Sequence, residues 1–263
     1  MSLDVGVFCK STLDGEVVDH CFSALFGLGQ NADPSYLDWL MKAWGWTLAV
    51  AGLSLIIAII LGVFMGTLRT LPVTTGMNRV LVRLSTMWVE LFRNIPILVQ
   101  VFLWYHVIPA FILPLKALPS YWLVSIALGF FTSARIAEQV RAGIQALPSG
   151  QQMAATALGL TTFQSYRYII LPMALRIVIP PLTSECMNLV KNSSVAFAVS
   201  VPELTLFAMQ AQEETSRGVE IYLAVTFLYA LSAFTVNRVM SLIEKRTRIP
   251  GFITASSDAG LAH

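Results

Sequence analysis

AWGWTLAVAGLSLIIAIILGVFMGTL, Ala43 to Leu68, runs 26 residues without a charged side chain. A helix rises ~1.5 Å per residue, and about 20 residues cross the ~30 Å of bilayer hydrocarbon, so this stretch is long enough to span a membrane. The whole chain agrees: of 263 residues, 56% are hydrophobic and 12% charged, and mean hydropathy is +0.70. A soluble domain carries about 25% charged residues. The expected fold is therefore an all-α integral membrane protein.

Working outward, four further spans are expected over Leu84 to Pro109, Tyr121 to Leu147, Pro172 to Phe197 and Val219 to Ile243, each interrupted by charge or proline. No basic segment followed by a short apolar run and a cleavage site opens the chain, so no removable signal peptide is expected. Lys and Arg in short connections mark the cytoplasmic side. Arg69, Arg79 and Arg83 follow the first span, Arg141 and Arg167 flank the third connection, and Arg238, Lys245, Arg246 and Arg248 close the chain. The opposite side receives Lys10, Lys42, Lys116, Lys191 and Arg217, with Asp4, Asp14, Glu16, Asp19, Asp33 and Asp38 making the N-terminal segment acidic. Five spans with the N-terminus outside and the C-terminus in the cytoplasm satisfy every connection. The expected division is an extracytoplasmic segment over 1–42, a transmembrane domain over 43–247 and a cytoplasmic tail over 248–263.

Charge distributed this way, with a net +2, forms no patch for nucleic acid. Three cysteines without a CxxC pair and three histidines, His20, His106 and His263, make no metal-ligand cluster. Cys9 and Cys21 fall on the side that is oxidising in bacteria, where a disulfide between them is permitted. No GxxxxGK[ST] loop occurs, so this chain is not expected to be an ATPase.

IQALPSGQQMAATALGL, Ile144 to Leu160, is too polar for the bilayer and too helical for a loop. Pro148 ends the third span. Ser149 and Gln152 stand at capping-box spacing, Gly159 suits the left-handed end of a short helix, and Thr161 with Gln164 repeats the box. A small, rigid helical hairpin over about 149–160 is expected on the cytoplasmic face. Ala154, Ala155, Ala157 and Gly159 allow close backbone approach, either to another protein or between the two short helices.

GQQMAATALGLTTFQSYRYIILP, Gly150 to Pro172, resembles the cytoplasmic EAA loop of permease subunits of ATP-binding-cassette importers, with Met153 where the motif's glutamate stands. VELFRNIPILVQ (Val89 to Gln100), IAEQVRAGIQALPSGQ (Ile136 to Gln151), IPPLTSECMNLVKNSS (Ile179 to Ser194) and IEKRTRIPG (Ile243 to Gly251) resemble the polar amino acid branch of that family, and most the branch that carries glutamate and aspartate. The resemblance implies a type I importer permease in the bacterial inner membrane. It implies a second, related permease chain, a dimer of ATPase subunits that bind ATP and Mg, and a periplasmic substrate-binding protein. It also makes the hairpin a coupling helix, with Gln151, Ala154, Ala155, Leu158 and Gly159 as the residues that meet the ATPase. No cofactor bound by this chain is implied.

Ionisable groups inside a bilayer cost ~2.5 to 3.5 kcal/mol at a helix centre and need partners or a function. Glu90 with Arg93, Arg135 with Glu138, and Glu138 with Arg141 lie at helical spacing and can neutralise each other. Glu185 is expected to pair with Arg176 or with an arginine elsewhere in the bundle. Arg135 stands where other branches of the family carry an aromatic residue. It either lines a central path with Thr132 and Ser133, offering a carboxylate a planar fork, or pairs only with Glu138. In the fourth span, Pro180 and Pro181 are expected to interrupt the hydrogen-bond ladder, and Thr183 and Asn188 to contact an amino acid backbone. The competing class is an ion-gradient-driven transporter or channel using Arg135, Glu138 and Glu185 as a charge relay, although no internal repeat supports it. A non-transporting scaffold would leave the polar run of the fourth span without a purpose.

Overall fold

The computed structural model describes residues 4–13, 15–17, 21 and 34–247, so the expected cytoplasmic tail and part of the acidic N-terminal segment lie outside the described residues. Helix α1, Tyr36–Leu68, begins upstream of the expected Ala43 because Ser35 and Asp38 cap it reciprocally, the Ser35 side chain accepting from the Asp38 amide and Asp38 from the Ser35 amide. Asp38 and Lys42 in its first turns are charges that a start at Ala43 would leave outside the helix.

The second expected span is not one straight helix. Gly76–Asn94 (α2) and Ile97–Phe111 (α3) meet at a 108° bend. Pro96 has no N–H and holds Ile95 in an extended conformation, so the ladder breaks there. Gln100 repairs the break: its buried amide donates to the carbonyls of Phe92 and Ile95 at 2.8 and 2.9 Å. Among the described residues four helices are long and apolar enough to cross a membrane, and the count reaches the expected five with this bent pair as one span.

At the centre stands α4, Ser120–Gln145, whose most apolar window is 67% buried, against 28, 33 and 22% for the other three long helices. A stripe of small residues on α1, Ser54, Ala58, Gly62 and Gly66, recurs every fourth residue and is buried. Such a stripe lets two helix backbones approach closely. A Cβ on Gly62 would come within 2.6 Å of the Ile136 side chain, and one on Gly66 within 2.7 Å of the Ala137 carbonyl. We expect Gly66→Val to cost about 1 to 3 kcal/mol through overpacking. The thermal midpoint of the detergent-solubilised protein should fall accordingly, while Gly76→Ala, with open space around its Cβ, serves as the control.

After α4 come the short α5, Ser149–Ala157, and a long helix, α6, Thr162–Val199. Pro180 and Pro181 lie inside α6 without ending it. Each proline removes one ladder bond, but the remaining bonds on either side keep the helix continuous. Helix α7, Leu204–Thr215, was not anticipated; at 12 residues it is too short to cross the membrane. Its cap is the fully buried Glu203, which accepts from the amides of Thr205 and Leu206 and from the Tyr229 hydroxyl at 2.7 Å. Leu204 and Phe207 of α7 pack with Tyr36 and Leu40 of α1 and with Ile221 of the last span, α8, Gly218–Thr247.

The N-terminal segment is anchored to this same end. Cys9 and Cys21 are joined by a disulfide. Asp4 pairs with Arg217 at 3.5 Å, and its amide donates to Glu220 at 3.2 Å.

Candidate functional site

Helix α4 turns Phe131, Arg135, Glu138 and Gln139 toward one cavity of about 440 Å³, which Arg93 of α2 and Glu185 of α6 complete. These positions on α4 repeat at four, seven and eight residues, one helical stripe. The stripe also explains why two expected path residues are not there. Thr132 and Ser133 fall on adjacent faces and are buried in packing, 2% and 0% exposed. Ser133 donates to the Phe130 carbonyl and accepts from the Trp88 indole at 3.2 Å, a tie between α4 and α2. Thr183 bonds back to the Ile179 carbonyl of its own helix at 3.4 Å, and neither it nor the half-buried Asn188 lines the cavity.

The charges around the cavity pair differently from their local spacing. Glu138 is held by Arg69 of α1 at 2.6 Å, Arg93 of α2 at 3.0 Å and Arg141 of its own helix at 2.9 Å. Only the Glu138–Arg141 pair follows the expected i, i+3 spacing. Arg93 reaches across to α4 and leaves the expected Glu90 pairing unmade, since Glu90 sits on an exposed face of α2. Arg135 pairs with Glu185, not Glu138: its Nε lies 2.8 Å from Oε2 and its Nη2 3.1 Å from Oε1. The Gln139 amide donates to the same carboxylate at 3.2 Å. Arg176, the other expected partner of Glu185, is exposed on α6. Four guanidinium groups thus share two carboxylates, and at the cavity wall itself Arg93 and Arg135 stand against Glu138 and Glu185.

The helical hairpin lies beside this network. Gly159 takes the left-handed conformation at φ 75°, and the Thr161 and Gln164 box forms as expected. The other expected box does not. Pro148 itself takes the N-cap position in an extended conformation, so Ser149 is already the first helical residue and caps nothing. Among the expected docking residues, Ala154, Leu158 and Gly159 are exposed and Gln151 is half-buried, but Ala155 is fully buried. Ala155 points toward the bundle because it follows the exposed Ala154 by about 100° around the helix. Three large apolar side chains stand out here, the expected Leu158 at 79% exposed and two that sequence reasoning missed as docking residues, Met153 at 67% and Phe163 at 71%. Their apolar character in a hairpin outside the expected spans was the available signal. The Tyr166 hydroxyl of the hairpin donates to the Thr70 carbonyl at 2.5 Å, next to Arg69, which binds Glu138. A cavity of about 340 Å³ lined by Arg69, Gln151 and Tyr166 separates the hairpin from the bundle.

A multi-pass helical bundle, with a charged cavity between its spans and a rigid apolar-tipped hairpin at one end, defines a membrane permease subunit. The chain belongs to the family of binding-protein-dependent transport system inner membrane components, whose model matches residues 58–249. It is 42% identical over 230 residues to the glutamate/aspartate import permease protein GltJ of Escherichia coli strain K12, covering 82% of this chain and 90% of that protein. The probable glutamine ABC transporter permease protein GlnP of Bacillus subtilis is 32% identical over 203 residues, covering 77% and 89%. Among solved structures, an amino acid ABC transporter crystallised with histidines matches with a TM-score of 0.69 at 28% identity, over 80% of this chain and 95% of that one.

Proposed function

We propose that the chain carries acidic amino acids, L-glutamate and L-aspartate, as one permease subunit of an ATP-driven importer in the bacterial inner membrane. Its N-terminus is outside and its C-terminus in the cytoplasm. The path is completed by a second, related permease chain. A dimer of ATPase subunits, which bind the ATP and Mg, docks at the hairpin, and a periplasmic binding protein delivers the substrate. The observation that carries the substrate class is the guanidinium of Arg135 presented to the cavity that it lines with Arg93, Glu138 and Glu185. An acidic amino acid is a net anion, and Arg135, 41% exposed, offers it a permanently charged planar fork. The likeness to GltJ over most of both chains supports the same class. Of the residues expected along the path, Arg135 lines the cavity, and the burial of Thr132 and Ser133 supports a packing role for them.

Mechanistically, the loaded binding protein docks outside, ATP closes the ATPase dimer, and the hairpin transmits that closure to α1 through Tyr166 and Thr70. Closure biases a two-state bundle, and hydrolysis returns it to the inward-facing state. The deciding experiment is uptake in proteoliposomes that hold the complete complex. Glutamate uptake should require enclosed ATP and the binding protein, and Arg135→Tyr should lower it about tenfold or more while leaving assembly intact. Uptake driven by a sodium or proton gradient alone would overturn the importer reading, and unchanged glutamate uptake in Arg135→Tyr would remove Arg135 from it.

A further inference from the structure

A guanidinium carries five N–H donors in one plane, enough for carboxylates on two edges. In this chain one edge is already taken. Glu185 engages Nε and Nη2 of Arg135 together, and Gln139 donates to the same carboxylate, which holds Glu185 in place. The burial is asymmetric: the Glu185 side chain is 7% exposed and that of Arg135 is 41%. The closed edge therefore faces the bundle, and the edge carrying Nη1 is left to the cavity.

This has an electrostatic consequence. A substrate carboxylate arriving at Arg135 finds a correctly shaped fork whose charge is already matched. Geometry selects a carboxylate over an amide, while the resident carboxylate weakens the hold. Tight binding at this point would impede release to the cytoplasm. We infer that Glu185 is a specificity-determining positioning residue: it fixes the edge that Arg135 presents to an acidic substrate and keeps the affinity of the cavity low. The inference rests on the proposed role of Arg135. It distinguishes Glu185 from a residue that merely ties α4 to α6, because a tie would act on every amino acid alike.

The test is equilibrium binding of radiolabelled L-glutamate and L-glutamine to the complete transporter in nanodiscs, with both permease chains and the ATPase dimer but without the binding protein. Glu185→Gln keeps the side-chain shape, removes the competing charge, and should raise glutamate affinity about tenfold while leaving glutamine unchanged. Glu185→Asp keeps the charge on a shorter arm and should fall between the two. No gain for glutamate, or an equal change for both amino acids, would overturn the inference. Should Glu185→Gln fail to assemble, Glu185→Asp decides: tighter glutamate binding supports the role and unchanged binding refutes it. Arg135→Gln, measured alongside, reports on the underlying reading. If it leaves the ratio of glutamate to glutamine binding unchanged, Arg135 is not the carboxylate ligand, whatever Glu185 does.

Discussion

Glu138→Ala is expected to be the most damaging single change in the membrane domain. The substitution leaves Arg69, Arg93 and Arg141 without the carboxylate that all three share. Arg69 suffers most, because its side chain is only 13% exposed and cannot turn to water without moving the end of α1. Removing one partner from a desolvated ion pair typically costs 3–5 kcal/mol, and the partial opening of this site toward its cavity places the expected loss at about 3 kcal/mol. The measurement is the thermal midpoint of the purified protein by fluorescence-detected gel filtration, together with the yield of assembled complex. Glu138→Gln retains hydrogen-bond acceptance at one oxygen and should lose less. A Glu138→Ala protein that melts with the native chain would mean that the arginines find water or lipid phosphate at little cost.

The second large effect is expected at Gly159. Its φ of 75° is outside the range of proline, whose ring fixes φ near −65°, so Gly159→Pro must redirect the chain between the two helices of the hairpin. Met153, Leu158 and Phe163 would then no longer project from one rigid unit. The native chain should retain a co-expressed ATPase subunit through detergent purification, and Gly159→Pro should lose it along with ATP-dependent uptake. Gly159→Ala meets nothing within 4 Å and has only the left-handed backbone to bear, about 1 to 2 kcal/mol. It should keep the ATPase. Retention by Gly159→Pro would show that the hairpin is internal packing and that docking occurs elsewhere.

The legibility of this protein follows the range of each interaction. Uncharged length located α1, and local capping chemistry located the hairpin, its left-handed Gly159 and the Thr161 box. Charge and proline were noted in the second span, but not a 108° bend at Pro96, because bend angle depends on what packs on either side. Both partners of a charge pair were legible only where they share a helix; for Glu185 an arginine elsewhere in the bundle was expected and is found, without its number being readable. Glu138 and Arg141 are three residues apart, whereas Arg69 meets Glu138 across 69 residues and Arg135 meets Glu185 across 50. Rotational phase was the other missing quantity. Thr132 and Ser133 are next to the cavity stripe in sequence yet on packed faces in space, and Ala155 is adjacent to an exposed Ala154 yet buried. Glu203 went unread because a buried carboxylate that caps a helix looks, in sequence, like any polar residue in a loop.

Helix α1 has 33 residues, about 50 Å of rod in a sheet whose apolar layer is only about 30 Å deep. It is therefore a spar that emerges from both faces. Ser35 starts it where the disulfide-bonded N-terminal segment is attached, and Thr70, just past its end, receives Tyr166. Its close backbone grip on α4, from Ser54 to Gly66, lies in the half that ends beside Thr70, while the half that starts at Ser35 packs on α7, so one rod ties together two differently built contacts.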